Sequence, residues 1–310
     1  MPDFSVICCI SKPDVFEECL LDSVNACREE YDVEVIPVIN NDNRYSASNA
    51  LNIGIDTCRS DIMIFAHQDV RLLYDWFATL DQLVKEAPND WGVIGTAGIA
   101  LKYGRKDIGR WGGALDVDTV AIGSVWDNDE GLGEPPYWDG IKELTPAHCA
   151  DECLIAVNKR TGLRFDSMFR GFHFYGVDMC LQARAAAYRV YCAHLPIIHY
   201  GKYSASMSGN NKYWMYLRYL HNKWRLQFPE MLGTHMHWAD RRNEQGKICH
   251  EEITSYIPVG LEANDGTEVN LKAMGINKII LETDRQCGIQ PFPGLEDEDY
   301  RIATGSMDEN

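Results

Sequence analysis

The chain has 310 residues, 45% of them hydrophobic, and carries 29 Lys and Arg against 46 Asp and Glu, a formal net charge of −17. With a mean hydropathy of −0.29 and an isoelectric point near 4.9, the composition is ordinary for a soluble globular protein with room for one large domain and an appendage. The acidic balance argues against nucleic acid and against an anionic membrane surface as partners, since both need basic surface. An anionic small substrate would then need local positive charge, supplied by a metal ion. No apolar run approaches the roughly 18 residues of a membrane span. Met1-Pro2-Asp3 enters a strand with no basic leader region, so a cytoplasmic chain is expected. The 11 cysteines are scattered without framework spacing, which suggests reduced thiols. Cys149 and Cys153 have no second pair to make a zinc site.

Phe4–Ile10 is an apolar run and reads as the first strand. Asp14–Cys27 carries Phe16, Cys19, Leu20 and Val24 at helical spacing. Val33–Ile39 is the second strand and ends at Asn40-Asn41-Asp42-Asn43. Ser46–Cys58 is predicted as a helix with Ser46 as its N-cap. Ile62–Phe65 is a strand, Leu73–Ala87 a helix stopped by Pro88, and Trp91–Ala97 a further strand. This alternation predicts an α/β fold with a mostly parallel sheet and helices on both faces. The stretch from Lys102 to Thr145, rich in Gly, Trp and acidic residues, reads as a hairpin and a long loop over the sheet edge. Glu152–Asn158 is another strand, Tyr175–Ala187 a helix, and Tyr188–Ala193 a short strand leading on to His199. Asn211–Phe228 is a long aromatic helix closed by Pro229. The expected organisation is a main domain over 1–232, a small appendage over 233–295 with β-like runs at Thr254–Val259 and Lys278–Glu282, and an acidic, frayed tail over 296–310.

The strand at Ile62–Phe65 ends abruptly in Ala66-His67-Gln68-Asp69-Val70. In open α/β sheets, ligands sit beyond strand tips of this kind. Three tips carry chemistry: His67-Gln68-Asp69, Gly176-Val177-Asp178, and His199. One carboxylate and one imidazole from distant tips complete a divalent-metal site, with phosphate oxygens and water filling a mixed shell that Mg²⁺ or Mn²⁺ accepts. Asp178 could then act as a general base beside it, a role typically worth about 10²–10⁴ in rate. Each residue also has a plainer reading. Asp69 could cap a helix starting near Tyr74, Asp178 could be the N-cap of a helix from Met179, and His199 could be a core histidine. Trp111, beside Gly112-Gly113, suits either stacking on a sugar or core filling. Asp151 and Glu152 suit either a solvated strand end or a face toward donor sugar or acceptor. His235-Met236-His237 is metal-compatible only on a strand. Cys8-Cys9-Ile10-Ser11-Lys12-Pro13 lacks the Gly-x-Gly-x-x-Gly that a dinucleotide oxidoreductase needs after its first strand.

Taken in order, Ala50-Leu51-Asn52-Ile53-Gly54-Ile55, Phe65-Ala66-His67-Gln68-Asp69-Val70, Ile94-Gly95-Thr96-Ala97-Gly98, Arg164-Phe165-Asp166, Gly171-Phe172-His173-Phe174-Tyr175-Gly176-Val177-Asp178, His199 and Lys223-Trp224 resemble the family 2 nucleotide-sugar glycosyltransferases. The similarity is to their StrF-like branch and runs from about Phe4 to Pro229. It implies a GT-A-like, nucleotide-diphospho-sugar transferase sandwich. The implied activity is an inverting, metal-assisted transfer of a sugar, hexosyltransferase-like, in polysaccharide or glycoconjugate synthesis. On the same resemblance, His67-Gln68-Asp69 stands where the family carries Asp-x-Asp, so Asp69 would reach a Mn²⁺ or Mg²⁺ that bridges the diphosphate, and His199 would be a second ligand. Asp178 would deprotonate the acceptor, although relatives carry Glu-Asp where this chain has Val177-Asp178. Ser11, Asn40, Asn41, Asp42, Asn52, His67, Gln68, Trp111 and Asp151 would line the nucleotide-sugar site. The implied partners are a nucleotide-sugar donor and a glycan or other hydroxyl acceptor, with self-association left open. A non-catalytic binder of nucleotide sugars or glycans, with a degenerate GT-A site, is the alternative.

Overall fold

The computed structural model describes residues 1–101, 119–126, 144–200, 211–228, 230–233, 236–242, 248–255 and 279–281. Two compact units divide the chain, one comprising Met1–Arg110 with Ala114–Gly201 and the other Trp111–Gly113 with Lys202–Asn310.

The first unit opens on β1 (Phe4–Ile10), then a continuous helical segment: α1 (Pro13–Val15), a π-helical stretch (Phe16–Leu21) and α2 (Asp22–Cys27). β2 (Val33–Ile39) pairs parallel with β1 in register from Phe4↔Val33 to Ile10↔Ile39. α3 (Ala47–Thr57) starts as its sequence predicts: the Ser46 hydroxyl accepts the Asn49 N–H at 3.2 Å and satisfies a first-turn donor. β3 (Ile62–Ala66) is followed by β4 (Val70–Leu72), and only then by α4 (Trp76–Glu86). The helix expected from Leu73 therefore begins three residues later, after a short strand that the apolar pattern had absorbed. β5 (Trp91–Gly95), β6 (Ala97–Leu101), β7 (Thr119–Gly123), β8 (Val125–Trp126), β9 (Thr145–Pro146), β10 (Cys149–Ala150) and β11 (Leu154–Asn158) come next. α5 (Tyr175–Ala185), β12 (Arg189–Cys192) and β13 (Ile197–His199) complete the unit.

The central sheet has seven strands in the order β2-β1-β3-β11-β5-β12-β9. It is α/β as expected, and five of its strands run one way. β11 lies antiparallel between β3 and β5, and β9 is antiparallel at the edge, so the sheet is mixed. Alternation along β1 sends Phe4, Val6, Cys8 and Ile10 into a buried cluster with Phe16, Leu20 and Val24 on one helical segment and Trp76, Phe77, Leu80 and Leu83 on α4. The opposite face meets α3, where Gly54 lets the helix approach so closely that a Cβ would stand 2.2 Å from Ile7 Cγ2. Helices thus cover both faces, which drives burial of a continuous apolar core.

A second sheet, in the order β4-β13-β8, positions the site. β13 runs antiparallel to β4 with His199 opposite Val70, and the Tyr200 N–H donates to the Asp69 carbonyl at 2.9 Å. In the second unit, α6 (Asn211–Trp224) is followed by an antiparallel sheet of β14 (Glu230–Leu232), β15 (Met236–Arg242), β16 (Ile248–Ser255) and β17 (Ile279–Leu281). Trp238 anchors it: the buried indole donates from Nε1 to the Phe228 carbonyl at 2.9 Å. Among the described residues, no helix is long and apolar enough to cross a membrane.

Candidate functional site

β3 carries His67 past its end, and the His67 N–H still donates to the carbonyl of Cys153, just before the neighbouring strand β11, at 2.9 Å. Asp69 sits in the tight turn into β4, and the β4–β13 register brings His199 alongside it. The ligand atoms of His67, Asp69 and His199 all lie within 4.8 Å of one another. His67 Nδ1 is 3.3 Å from His199 Nε2, and His199 Nε2 is 3.4 Å from Asp69 Oδ1. The reading of Asp69 as a helix cap does not hold, since Asp75 occupies the N-cap position of the helix that follows.

Burial, followed by the neighbouring His199, pushes the His67 imidazole down to about 4, so the ring is neutral and able to donate a lone pair at pH 7. Burial alone would raise the Asp69 carboxyl, but its hydrogen bond to His199 and the two imidazoles outweigh that and hold it below its ordinary range. The neutral imidazole of His67, the imidazole of His199 and the Asp69 carboxylate together fit a divalent cation. They make a softer donor set than the all-oxygen shell that Mg²⁺ prefers.

Tyr175 was not singled out in the sequence. Its hydroxyl lies 2.7 Å from His67 Nε2, on the side of the ring away from His199. In an aromatic run Phe172-His173-Phe174-Tyr175 the side chain reads as core, and it is indeed buried. Only the position of its oxygen, which sequence does not give, marks it as an orienting partner.

Gln68 ties the tips of β1 and β3 together. Its Oε1 accepts the N–H groups of Ser11 and Lys12, each at 2.9 Å, and its Nε2 donates to Ser11 Oγ at 3.0 Å. Asn40 is buried and exchanges two hydrogen bonds with the Tyr45 backbone, both at 2.9 Å. Asn52 does the same with Phe165, at 2.8 and 3.0 Å. Asn41 and Asp42 are exposed in the turn after β2, where Asp42 pairs with Arg44 at 3.0 Å. Asp151 is half-buried, accepts the Cys153 N–H at 3.0 Å, and its charge is felt at His67. Trp111 lies outside the described residues, as does His235.

Asp178 is not one of the three residues grouped there. The helix N-cap is Phe174, in a left-handed conformation at φ 65°, which puts Asp178 inside the first turn and not at its cap. It is 0% exposed, and Oδ2 accepts from Gln182 Nε2 at 2.7 Å. The same Gln182 amide donates to the Arg164 carbonyl. Glu152 is the carboxyl that reaches the beginning of α5: its Oε1 accepts the Phe174 N–H at 3.0 Å.

This chain belongs to the glycosyltransferase-like family, whose pattern it matches over residues 5–218. A curated relative, "ATP synthase subunits region ORF 6" of Fuscovulum blasticum, is 28% identical over 148 residues, which is 47% of this chain and 53% of that protein. The chain therefore spans about half the length of that relative. Among solved structures, S. aureus TarS (residues 1-349) is similar at 11% identity and a TM-score of 0.42, covering 72% of this chain and 65% of that one. The mannosyltransferase PcManGT from Pyrobaculum calidifontis, in complex with GDP-Man and Mn²⁺, is similar at 12% identity and a TM-score of 0.41, covering 70% and 60%.

Proposed function

We propose that this family member is a nucleotide-sugar glycosyltransferase that moves a hexosyl group from a nucleoside-diphosphate donor to an acceptor hydroxyl, with inversion and with help from a divalent metal. The observation that carries the reading is the convergence of His67, Asp69 and His199, within 4.8 Å, beyond the tip of a central strand. When bound there, Mn²⁺ or Mg²⁺ would supply positive charge to the leaving diphosphate.

The chain's own residues do the rest. Tyr175 fixes the His67 ring, and Gln68 holds the β1 and β3 tips at a constant separation, which keeps the Ser11 side of the site in register with Asp69. Asn41 and Asp42, exposed at the tip of β2, are available to the nucleoside, whereas Asn40 and Asn52 shape the loops behind them. A cytoplasmic setting and a role in polysaccharide or glycoconjugate synthesis accompany this reading.

The test incubates the full chain with UDP-, GDP-, CDP- and dTDP-linked sugars, with Mn²⁺ or with EDTA, and measures nucleoside diphosphate release. Release from one nucleotide class that EDTA abolishes is the expected result, and release unaffected by EDTA would remove the metal from the account. The second reading, a non-catalytic nucleotide-sugar binder, is favoured by His67 standing where the resemblance carries an acidic residue. Binding of a nucleotide with no release from any donor would select it.

A further inference from the structure

The transferase reading leaves one chemical role without a well-placed group: something must take the proton from the acceptor. Asp178 is sealed inside the first turn of α5 at 0% exposure. A base must come within hydrogen-bond reach of the hydroxyl it serves, and a side chain without accessible surface does not.

Glu152 has what Asp178 lacks. It lies in the turn just before β11, one residue from Cys153, whose carbonyl receives the His67 N–H. It is half-buried and keeps accessible surface. Its carboxyl is anchored by the Phe174 N–H at 3.0 Å, and the next residue, Tyr175, holds His67 through its hydroxyl at 2.7 Å. Two consecutive residues at the start of α5 therefore fix a carboxyl and a metal-ligating imidazole.

Gly176 makes this arrangement fit. A Cβ at that position would stand 2.6 Å from Glu152 Cβ, 2.9 Å from its Cα and 3.2 Å from its nitrogen. Any larger residue would push the Glu152 backbone away from the helix. The side chain missing at 176 is thus the space across which Glu152 lies.

We propose that Glu152 is the catalytic base of the transfer, in the place that the sequence assigns to Asp178. The inference rests on the transferase reading above. The acceptor O–H gives its proton to the Glu152 carboxylate as its oxygen bonds to the anomeric carbon. The bond from that carbon to the diphosphate oxygen breaks, and the electron pair leaves on the diphosphate. Burial, followed by the charge of Asp151, raises the Glu152 carboxyl to about 8. Once ionised, such a group is a stronger base than an ordinary glutamate, and general-base efficiency is best when the pKa lies near the working pH.

The test uses the full chain with Mn²⁺, the donor panel and a set of methyl glycosides as acceptors, and measures kcat and donor KM. Glu152→Gln keeps an oxygen for the Phe174 N–H and loses only the ability to take a proton. It is expected to lower kcat by about 10²–10⁴ with donor KM unchanged. Glu152→Ala is expected to lose the same activity and to regain part of it in sodium formate, which brings a carboxylate into the vacated space. If Glu152→Gln does not fold, the alanine variant decides: recovery with formate supports the assignment and its absence overturns it. An active wild type with an equally active Glu152→Gln overturns the assignment alone, as does a kcat collapse confined to Asp178→Asn. A wild type that turns over no donor overturns the transferase reading and this assignment with it.

Discussion

Tyr175 and His67 are joined at 2.7 Å between the phenolic oxygen and Nε2, and the other ring nitrogen of His67 faces His199 at 3.3 Å. A partner on one imidazole nitrogen fixes the tautomer and the plane of the ring, and so decides what the other nitrogen can do. The two rings sit edge-on, with centroids 5.2 Å apart, so a small rotation of His67 would misalign the pair.

Tyr175→Phe removes the hydroxyl and keeps the ring volume. Loss of such an orienting partner typically weakens metal affinity about 10–100-fold. Calorimetric titration of Mn²⁺ into both proteins checks it. Equal affinities would mean that the hydroxyl does not orient His67.

Gln68 makes three hydrogen bonds across the β1–β3 tips. Gln68→Ala leaves the Ser11 and Lys12 N–H groups without that partner, and the expected cost is about 1–2 kcal/mol, because water reaches part of the site. Urea unfolding of the two proteins measures it directly, and a midpoint that does not move would show the clamp to be energetically idle.

Gly54→Ala puts a methyl group 2.2 Å from Ile7 Cγ2, inside a core that includes Val6, Ile7 and Leu51. Overpacking of this kind costs about 1–3 kcal/mol. A lowered melting temperature that Ile7→Ala partly restores in the double variant is the expected pattern. Simple additivity of the two changes would contradict a direct clash.

Two half-buried groups have opposite pH dependences of stability. His67, whose folded value of about 4 lies below its ordinary 6.5, takes a proton more readily in the unfolded chain, so its contribution is lost as pH falls from about 6.5 toward 4. Glu152, raised to about 8 from 4.5, holds its proton more tightly in the folded chain, so stability is lost as pH rises from about 4.5 to 8. Glu152→Gln cannot ionise. Its stability relative to wild type is therefore expected to improve steadily between pH 5 and pH 8.5. Thermal melts at several pH values check this, and a constant difference across that range would mean that Glu152 is not perturbed.

Much of the frame is legible in the sequence, and the reasons for the gaps are physical. The first two strands appear at their observed limits, Phe4–Ile10 and Val33–Ile39, because each is an apolar run bounded by polar turns. Ser46 announces its helix because an N-cap is a local hydrogen bond. Val70–Leu72 is invisible as a strand: three residues are too few to show a period, and Leu72 and Leu73 merge with the helical spacing of Trp76 and Phe77. The antiparallel entry of Leu154–Asn158 between two parallel strands is also hidden, since an apolar strand reads alike in either direction and its partners are remote in sequence.

The site divides in the same way. His67 and Asp69 announce themselves at a strand tip, and His199 joins them through the pairing of Ile197–His199 with Val70–Leu72. How far each carboxyl is buried is a matter of side-chain packing, which sequence does not give: Asp178, in the first turn of a helix, is fully buried, whereas Glu152, before a strand, is half-buried.

The most direct measurement is a thermal-shift series with UDP, GDP, CDP and dTDP, each with and without Mn²⁺, on wild type and Asp69→Ala. A ligand that binds only the folded state adds about 2.7 kcal/mol at a hundred times its Kd. A shift for one nucleotide that requires Mn²⁺ and disappears in Asp69→Ala is the predicted result. A nucleotide shift of the same size without Mn²⁺, or one that survives Asp69→Ala, would contradict the metal centre of His67, Asp69 and His199.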